Sequence, residues 1–341
     1  MIVTPPESTA SPRGAEDGPP APDTAPDGIQ AHGWTLAVGR FLVHLPPGAS
    51  AAFGRQGFNE AGAFIRALPV AGRAGARAQV EAQAALLRVP HEEGGTRLVR
   101  VVEGHGACCW FLYFWKDTAF KDETLEVMGY FWNAGRLFIF RSACRADAAA
   151  MTRQAGRLDA LFRRLRRRSP WEIPPGPAFC LGEAYFPGHP APGSEEHIEL
   201  LAGFTGRPGM RLRFCTDTVG ELIAHYPPLL EREALGWSRP RLRGGVRVRA
   251  RERPVGPFAG QELVERTGLP GPAGGWSFVW ECLGRPRNPL RPLIRLELRV
   301  GAGIEAEAVG LWDGVLDSLR RRDKDANSLR LPGSFRSSWS L

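Results

Sequence analysis

The sequence predicts an α+β protein built from two similar domains by duplication, each an antiparallel sheet with flanking helices. Three observations carry this expectation. LDALFRRLRRR at residues 158–168 is echoed by WDGVLDSLRRR at residues 312–322. Aligned without gaps, Leu158 falls on Trp312, Asp159 on Asp313, Leu161 on Val315, Phe162 on Leu316, Leu165 on Leu319 and Arg166, Arg167 and Arg168 on Arg320, Arg321 and Arg322. Each copy is amphipathic at helical spacing and ends in basic residues. The same order of elements, three strands, a helix, four strands and a helix, precedes both ends.

The chain has 341 residues, and typical domain sizes make two cores the natural division. Residues 1–30 are rich in Pro, Gly, Ala and acid and hold almost no large apolar side chain. They are expected to form a disordered leader, because too little surface can be buried to offset the ordering entropy. The first domain is assigned to residues 31–168, a Pro-rich linker to 169–176, the second domain to 177–322, and a flexible tail to 323–341.

Within the first domain, residues 34–45 read as a strand whose apolar phase shifts midway, before Pro46-Pro47-Gly48 stops it. Short strands are expected within 50–59 and 62–68. Residues 73–89 place Val80, Ala84 and Leu87 on one helical face, and Pro90 ends that helix. Four strands follow at 97–103, 108–115, 125–132 and 136–144, dense in Val, Phe, Trp and Tyr. Asn133-Ala134-Gly135 marks a hairpin turn. Asp147 is placed as the cap of a helix running to about Arg168, with Met151, Ala155, Leu158, Phe162 and Leu165 as its apolar stripe.

In SPWEIPPG, residues 169–176, three prolines forbid continuation of the helix. AFCLGEAYF then reads as one strand, followed by strands near 195–203 and 210–216. Thr218 with Glu221 suggests a capping box for a helix through Ile223, and Pro227-Pro228 interrupts it before LLERE. Strands at 241–251, 258–265, 276–282 and 292–300 precede the last helix, near 304–322.

The search for chemistry yields little. The seven histidines include no pair four apart, H-E-x-x-H is absent, and His91-Glu92-Glu93 reads as a solvated turn. G-x-S-x-G does not occur, and the Gly-rich 268–275 lacks the strand-to-helix context of a phosphate loop. None of the six cysteines forms a C-x-x-C pair, so buried thiols are expected rather than a metal or redox centre. No catalytic, cofactor-binding or metal-binding residue is assigned, and no cofactor is expected.

Charge offers one alternative. The net charge is +8, and residues 1–30 carry five acids against Arg13, which leaves +12 on the rest. All bases but Lys116, Lys121 and Lys324 are arginines. Alternation along the 241–251 strand sets Arg247, Arg249 and Arg251 on one face, a basic stripe able to track phosphates. A binding module for nucleic acid or anionic membrane therefore stays open. No apolar run reaches the roughly 18 to 20 residues of a transmembrane helix, and no secretion signal is legible at the start.

The second half resembles the C-terminal domain of the immunity proteins that neutralise type VI secretion phospholipase effectors. The resemblance rests on FCLGEAYF at 179–186, LLERE at 229–233, RLRGGVRVRARERPVGPFAGQELVER at 241–266, FVWECLG at 278–284, PLIRLELRVG at 292–301 and LWDGVLDSLRRR at 311–322. The first half is similar to that family's N-terminal domain more loosely, through FLVHLPPG at 41–48 and its closing helix. This implies a claw-like two-domain protein, not an enzyme. Such a protein binds a cognate secreted phospholipase at its lid region and blocks the movement that exposes the lipase active site. It implies no small-molecule substrate and a periplasmic location, although the legible sequence alone points to the cytoplasm. The charged loop 116–124 is the expected contact, with Lys116, Phe120 and Lys121 resembling an aromatic anchor in a polar rim.

Overall fold

The computed structural model describes residues 33–58, 63–89, 95–104, 108–116, 124–190, 194–207, 209–221, 225–235, 245–266 and 274–322. The expected leader, at 1–30, and tail, at 323–341, lie outside them.

The first half opens with a hairpin, β1 (Trp34–Val38) and β2 (Phe41–Leu45), then β3 (Ala49–Phe58), β4 (Ala63–Pro69) and helix α1 (Gly72–Arg88). It continues through β5 (Arg97–Glu103), β6 (Cys109–Trp115), β7 (Thr124–Asn133), β8 (Arg136–Arg145), helix α2 (Ala148–Arg164) and β9 (Arg166–Arg167). The second half has the hairpin β10 (Ala178–Cys180) and β11 (Ala184–Pro187), then β12 (Glu196–Phe204), β13 (Arg211–Asp217) and helix α3 (Leu229–Ala234). It ends with β14 (Val246–Glu252), β15 (Gln261–Arg266), β16 (Gly275–Cys282), β17 (Leu293–Gly301), helix α4 (Glu305–Ser318) and β18 (Arg320–Arg321). The chain is thus α+β, mostly antiparallel sheet with a few helices.

The sheets expected for the two halves are joined. One 12-stranded antiparallel sheet runs β14-β15-β16-β17-β13-β12-β3-β4-β8-β7-β6-β5, and the seam between halves is the β12–β3 pair, which holds from Glu196↔Phe58 to Phe204↔Ala49. Outward from the seam the two halves list their strands in the same order. Pairing in register is a long-range choice that alternation along each strand does not specify.

Two stretches read as single strands are hairpins instead. Gly39-Arg40 turns β1 into β2, with Gly39 at φ +58°, where a Cβ would meet Ile198 Cγ2 at 2.9 Å. That turn is the shift of phase in the apolar run, and only glycine fits it without strain. Likewise the segment around Gly182 separates β10 from β11.

The basic ends of the repeated motif are also not helical. Both helices stop at a leucine, Leu165 or Leu319, and the next two arginines form short strands that cross to the other half. β9 pairs with β11, and β18 pairs with β2. The third arginine of each motif turns inward. Arg168, 3% exposed, donates to the Leu181, Ala37 and Glu172 carbonyls; Arg322, 5% exposed, donates to those of Pro174, Gly176 and Ala178. Buried guanidiniums are tolerated only when their donors are satisfied, and here backbone carbonyls of the 169–176 segment and its neighbours satisfy them. Gly39 and Cys180 exchange both backbone hydrogen bonds between the two hairpins.

One face of the long sheet carries the main core. Phe111, Tyr113, Phe138 and Phe140 meet Leu158 and Phe162 of α2, while Phe214, Phe278, Trp280 and Leu296 meet Leu311, Trp312 and Leu316 of α4. Asp147 caps α2 as expected, accepting from the Ala150 N–H at 2.7 Å. The Thr218 hydroxyl accepts from the Glu196 N–H at 3.1 Å, and Ile223, through which the helix expected after Thr218 runs, lies outside the described residues. Glu262, fully buried beneath α4, accepts from Trp312 Nε1 and from Arg251 and Arg253. Burial pulls the Glu262 carboxyl upward, but these hydrogen bonds outweigh it and hold the group below its usual pKa. Among the described residues no helix is long and apolar enough to cross a membrane.

Two predictions follow from this core. Replacing Arg168 or Arg322 by Met should cost about 3 kcal/mol or more, because several buried carbonyls lose charged donors at once. Urea denaturation checks it, and a single transition is expected because each motif is tied into the opposite half. Glu262, its pKa depressed in the folded state, contributes stability that is present above the unfolded value of about 4.3 and lost as pH falls through the folded value. Thermal midpoints between pH 7 and pH 3 should therefore fall further for the native chain than for Glu262→Gln, which cannot titrate.

Candidate partner interface

Among the described residues no group of three His, Cys, Asp or Glu residues stands close enough to hold a metal. His91-Glu92-Glu93 lies outside the described residues. All six cysteines are thiols, three buried and three half-buried. Cys109 lines a cavity of about 270 Å³ with Asp159, Phe131 and Phe162 and donates to Asp159 Oδ1 at 3.3 Å. Burial first, then the Asp159 carboxylate, pushes that thiol up to about 12, the reverse of what a nucleophile requires.

The expected stripe of Arg247, Arg249 and Arg251 does not exist as one face. A β-bulge between Arg247 and Arg249 sets Arg247 opposite Glu265 and Arg249 opposite Val264, so the two arginines point to opposite sides. Arg247 pairs with Glu233, and Arg249 and Arg251 both pair with Glu262. These cations are compensated internally, which removes the stripe as a phosphate track. The mirror edge repeats the device: β5 has its bulge between Leu98 and Arg100. The bulged residues, Val99 and Val248, are among the exposed valines of the two edge strands.

Of the loop residues expected to touch a partner, Lys116 sits exposed immediately after β6, at the outer end of the sheet. Phe120 and Lys121 lie outside the described residues.

Register identifies a larger surface that sequence reading missed. Leu112 packs under α1, and successive opposite residues Met128, Arg141, Ala63, Gly57 and His197 carry the same sheet face across to β12. On β12, His197, Glu199 and Leu201 alternate on this face, and the row Glu199, Cys215, Arg295, Glu281 reaches Arg232 of α3. Helices α1 and α3 thus share one face. α1 packs on β5, β6 and β7, and α3 packs on β15. Between them, β3, β12, β13 and β17 are covered by no helix on this side among the described residues.

The uncovered strip is small and apolar at the seam, with Ala52 opposite Leu201, which is 38% exposed, and Ser50 opposite Gly203. Towards α3 it becomes a ladder of alternating charge. Glu199 accepts from Arg213, Arg213 also reaches Glu297, and Glu297 accepts from Arg295. Arg295 donates in turn to Glu281, which accepts from buried Arg232. The pKa of Glu199 is lowered: burial raises it, but the Arg213 and Arg55 hydrogen bonds outweigh that.

Residues 172–324 match the family model described as Tle cognate immunity protein 4 C-terminal domain. The fold is similar to the apo structure of the immunity protein TplEi of the type VI secretion system from Pseudomonas aeruginosa. That likeness has a TM-score of 0.68 and 23% identity, and covers 85% of this chain and 97% of that one. It is similar, too, to a chain of the Tle4–Tli4 complex, with a TM-score of 0.68 and 24% identity over 86% of this chain and 99% of that one. A TplEi structure from P. aeruginosa complexed with an "L" peptide gives 0.66 and 22%, over 86% and 99%. No curated protein sequence matches the chain. Residues 172–324 thus match that family's C-terminal domain, and the solved immunity proteins share the fold of most of the chain.

Proposed function

We propose that this protein is a non-catalytic immunity protein that binds a cognate type VI secretion lipase or phospholipase one-to-one and grips its lid region. The observation that carries the reading is the family match over 172–324, together with a fold shared across nearly the whole length of solved immunity proteins. The open strip between α1 and α3 is the contact surface in this reading. Helices stand at both ends of it, and it presents a half-exposed leucine within a charged rim.

The same reading takes residues 31–168 and 177–322 as two related units joined by 169–176. Its support is the shared strand order outward from the seam and the reciprocal β9–β11 and β18–β2 pairings. A duplicated unit that meets its copy through equivalent strands produces a pseudo-dyad and a two-armed molecule, the shape that closing around another protein's mobile lid requires. The basic-module alternative has lost its stripe to internal ion pairs.

Co-purification with the lipase encoded in the adjacent open reading frame should give a one-to-one complex in which lipid hydrolysis is suppressed; a lipase that neither binds nor is inhibited overturns the reading. Leu201→Glu should weaken that complex about tenfold or more and leave the thermal midpoint nearly unchanged, because the side chain is already partly in water. Charge reversal at Lys116 and Lys121 tests the loop: unchanged affinity removes it from the contact.

A further inference from the structure

On the open strip nearly every cation has a carboxylate beside it, with one exception. Arg211 of β13 and Arg299 of β17 are directly opposite each other, on the same face, and both are exposed. Neither has an ion-pair partner among the described residues. Their neighbours in the row are Gly203 on one side and Ser277 on the other, so no carboxylate is interposed. Directly opposite residues in an antiparallel pair hold their Cβ atoms about 5 Å apart, and like charges there are destabilising. One row away, the equivalent positions are Arg213 and Glu297, where the signs alternate.

We propose that the Arg211–Arg299 pair is a docking point for a carboxylate side chain of the bound protein partner. An Asp or Glu entering between two guanidiniums relieves their repulsion and accepts charge-assisted hydrogen bonds from both, with the Ser277 hydroxyl and the space over Gly203 leaving room for it. The surroundings select for a single anion. Glu297 and Glu199 lie one and two rows away on the same face, and they repel an extended polyanion such as a membrane surface or a nucleic acid backbone. An isolated acidic residue on a protein surface meets the two arginines without meeting the glutamates. Ala52 and Leu201 lie one row away on the same face, in line with Arg213, so an apolar neighbour of that acidic residue has a place to rest.

This inference rests on the inhibitor reading above, and the test separates the two. Affinity of the full chain for the co-purified lipase is measured by calorimetry beside the thermal midpoint, for the native chain, Arg211→Gln, Arg299→Gln and the double variant. Each single change should weaken binding about tenfold while the thermal midpoint stays level or rises, since the variant loses a repulsion. A residue with a merely structural role gives the opposite midpoint shift. Native-like affinity in the double variant overturns the inference while leaving the inhibitor reading intact; absence of any native complex overturns both. Phosphatidylglycerol vesicles are the second arm: if the variants lose vesicle binding and keep lipase affinity, the pair serves a lipid headgroup and the inference is wrong.

Discussion

The pairing of β3 with β12 is the constraint on which the rest of the molecule depends. It turns what composition suggests are two domains into one sheet, and so fixes where every other element can stand. Because the strands nearest the seam are antiparallel partners from opposite halves, α2 and α4 fall on one face and α1 and α3 on the other. Hairpins and short arginine strands then cross between halves on the core side, each closing helix handing its next residues to the opposite hairpin. A seam with only backbone hydrogen bonds would part like any sheet edge. Buried Arg168 and Arg322, bonded to carbonyls within the 169–176 segment and beside it, prevent that by making separation expose charged groups and unsatisfied carbonyls together.

Local structure was largely legible in the sequence, and the failures share a cause. Helix α1, the Asp147 cap and the β7–β8 hairpin follow from periodicity and turn chemistry within a few residues, and they stand where expected. Gly39-Arg40 is hidden because the apolar run continues through it, and what requires glycine there, a φ of +58° and the close contact with Ile198 far along the chain, belongs to the folded molecule. The triple arginines look like helix ends because cations are favoured at a helix C-terminus; besides Glu172, the partners of Arg168 are Leu181 and Ala37, and those of Arg322 lie in the 174–180 stretch, more than a hundred residues earlier. The bulge between Arg247 and Arg249 hides for the same reason. Alternation is a property of one strand, and a bulge is a property of a pair.

The interface was legible only in outline. The family resemblance implied a grip on another protein, and the exposed Lys116 was visible as a loop residue, but the open strip is formed by residues from β3, β12, β13 and β17 that no local pattern connects. Glu262, Glu281 and Glu297 each serve two or more arginines, so the net positive charge of the sequence is not a map of accessible positive surface.

A sheet of 12 strands that does not close into a barrel has two bare ends, β5 and β14. At both, the outermost strand is interrupted at its third position by a bulge that leaves a valine unpaired and turns an arginine over. An extended stranger arriving at either margin finds hydrogen-bonding groups out of step with its own and cannot add as a thirteenth strand. The molecule therefore carries a wide sheet whose two margins resist strand addition, and its uncovered face offers another chain side chains rather than backbone.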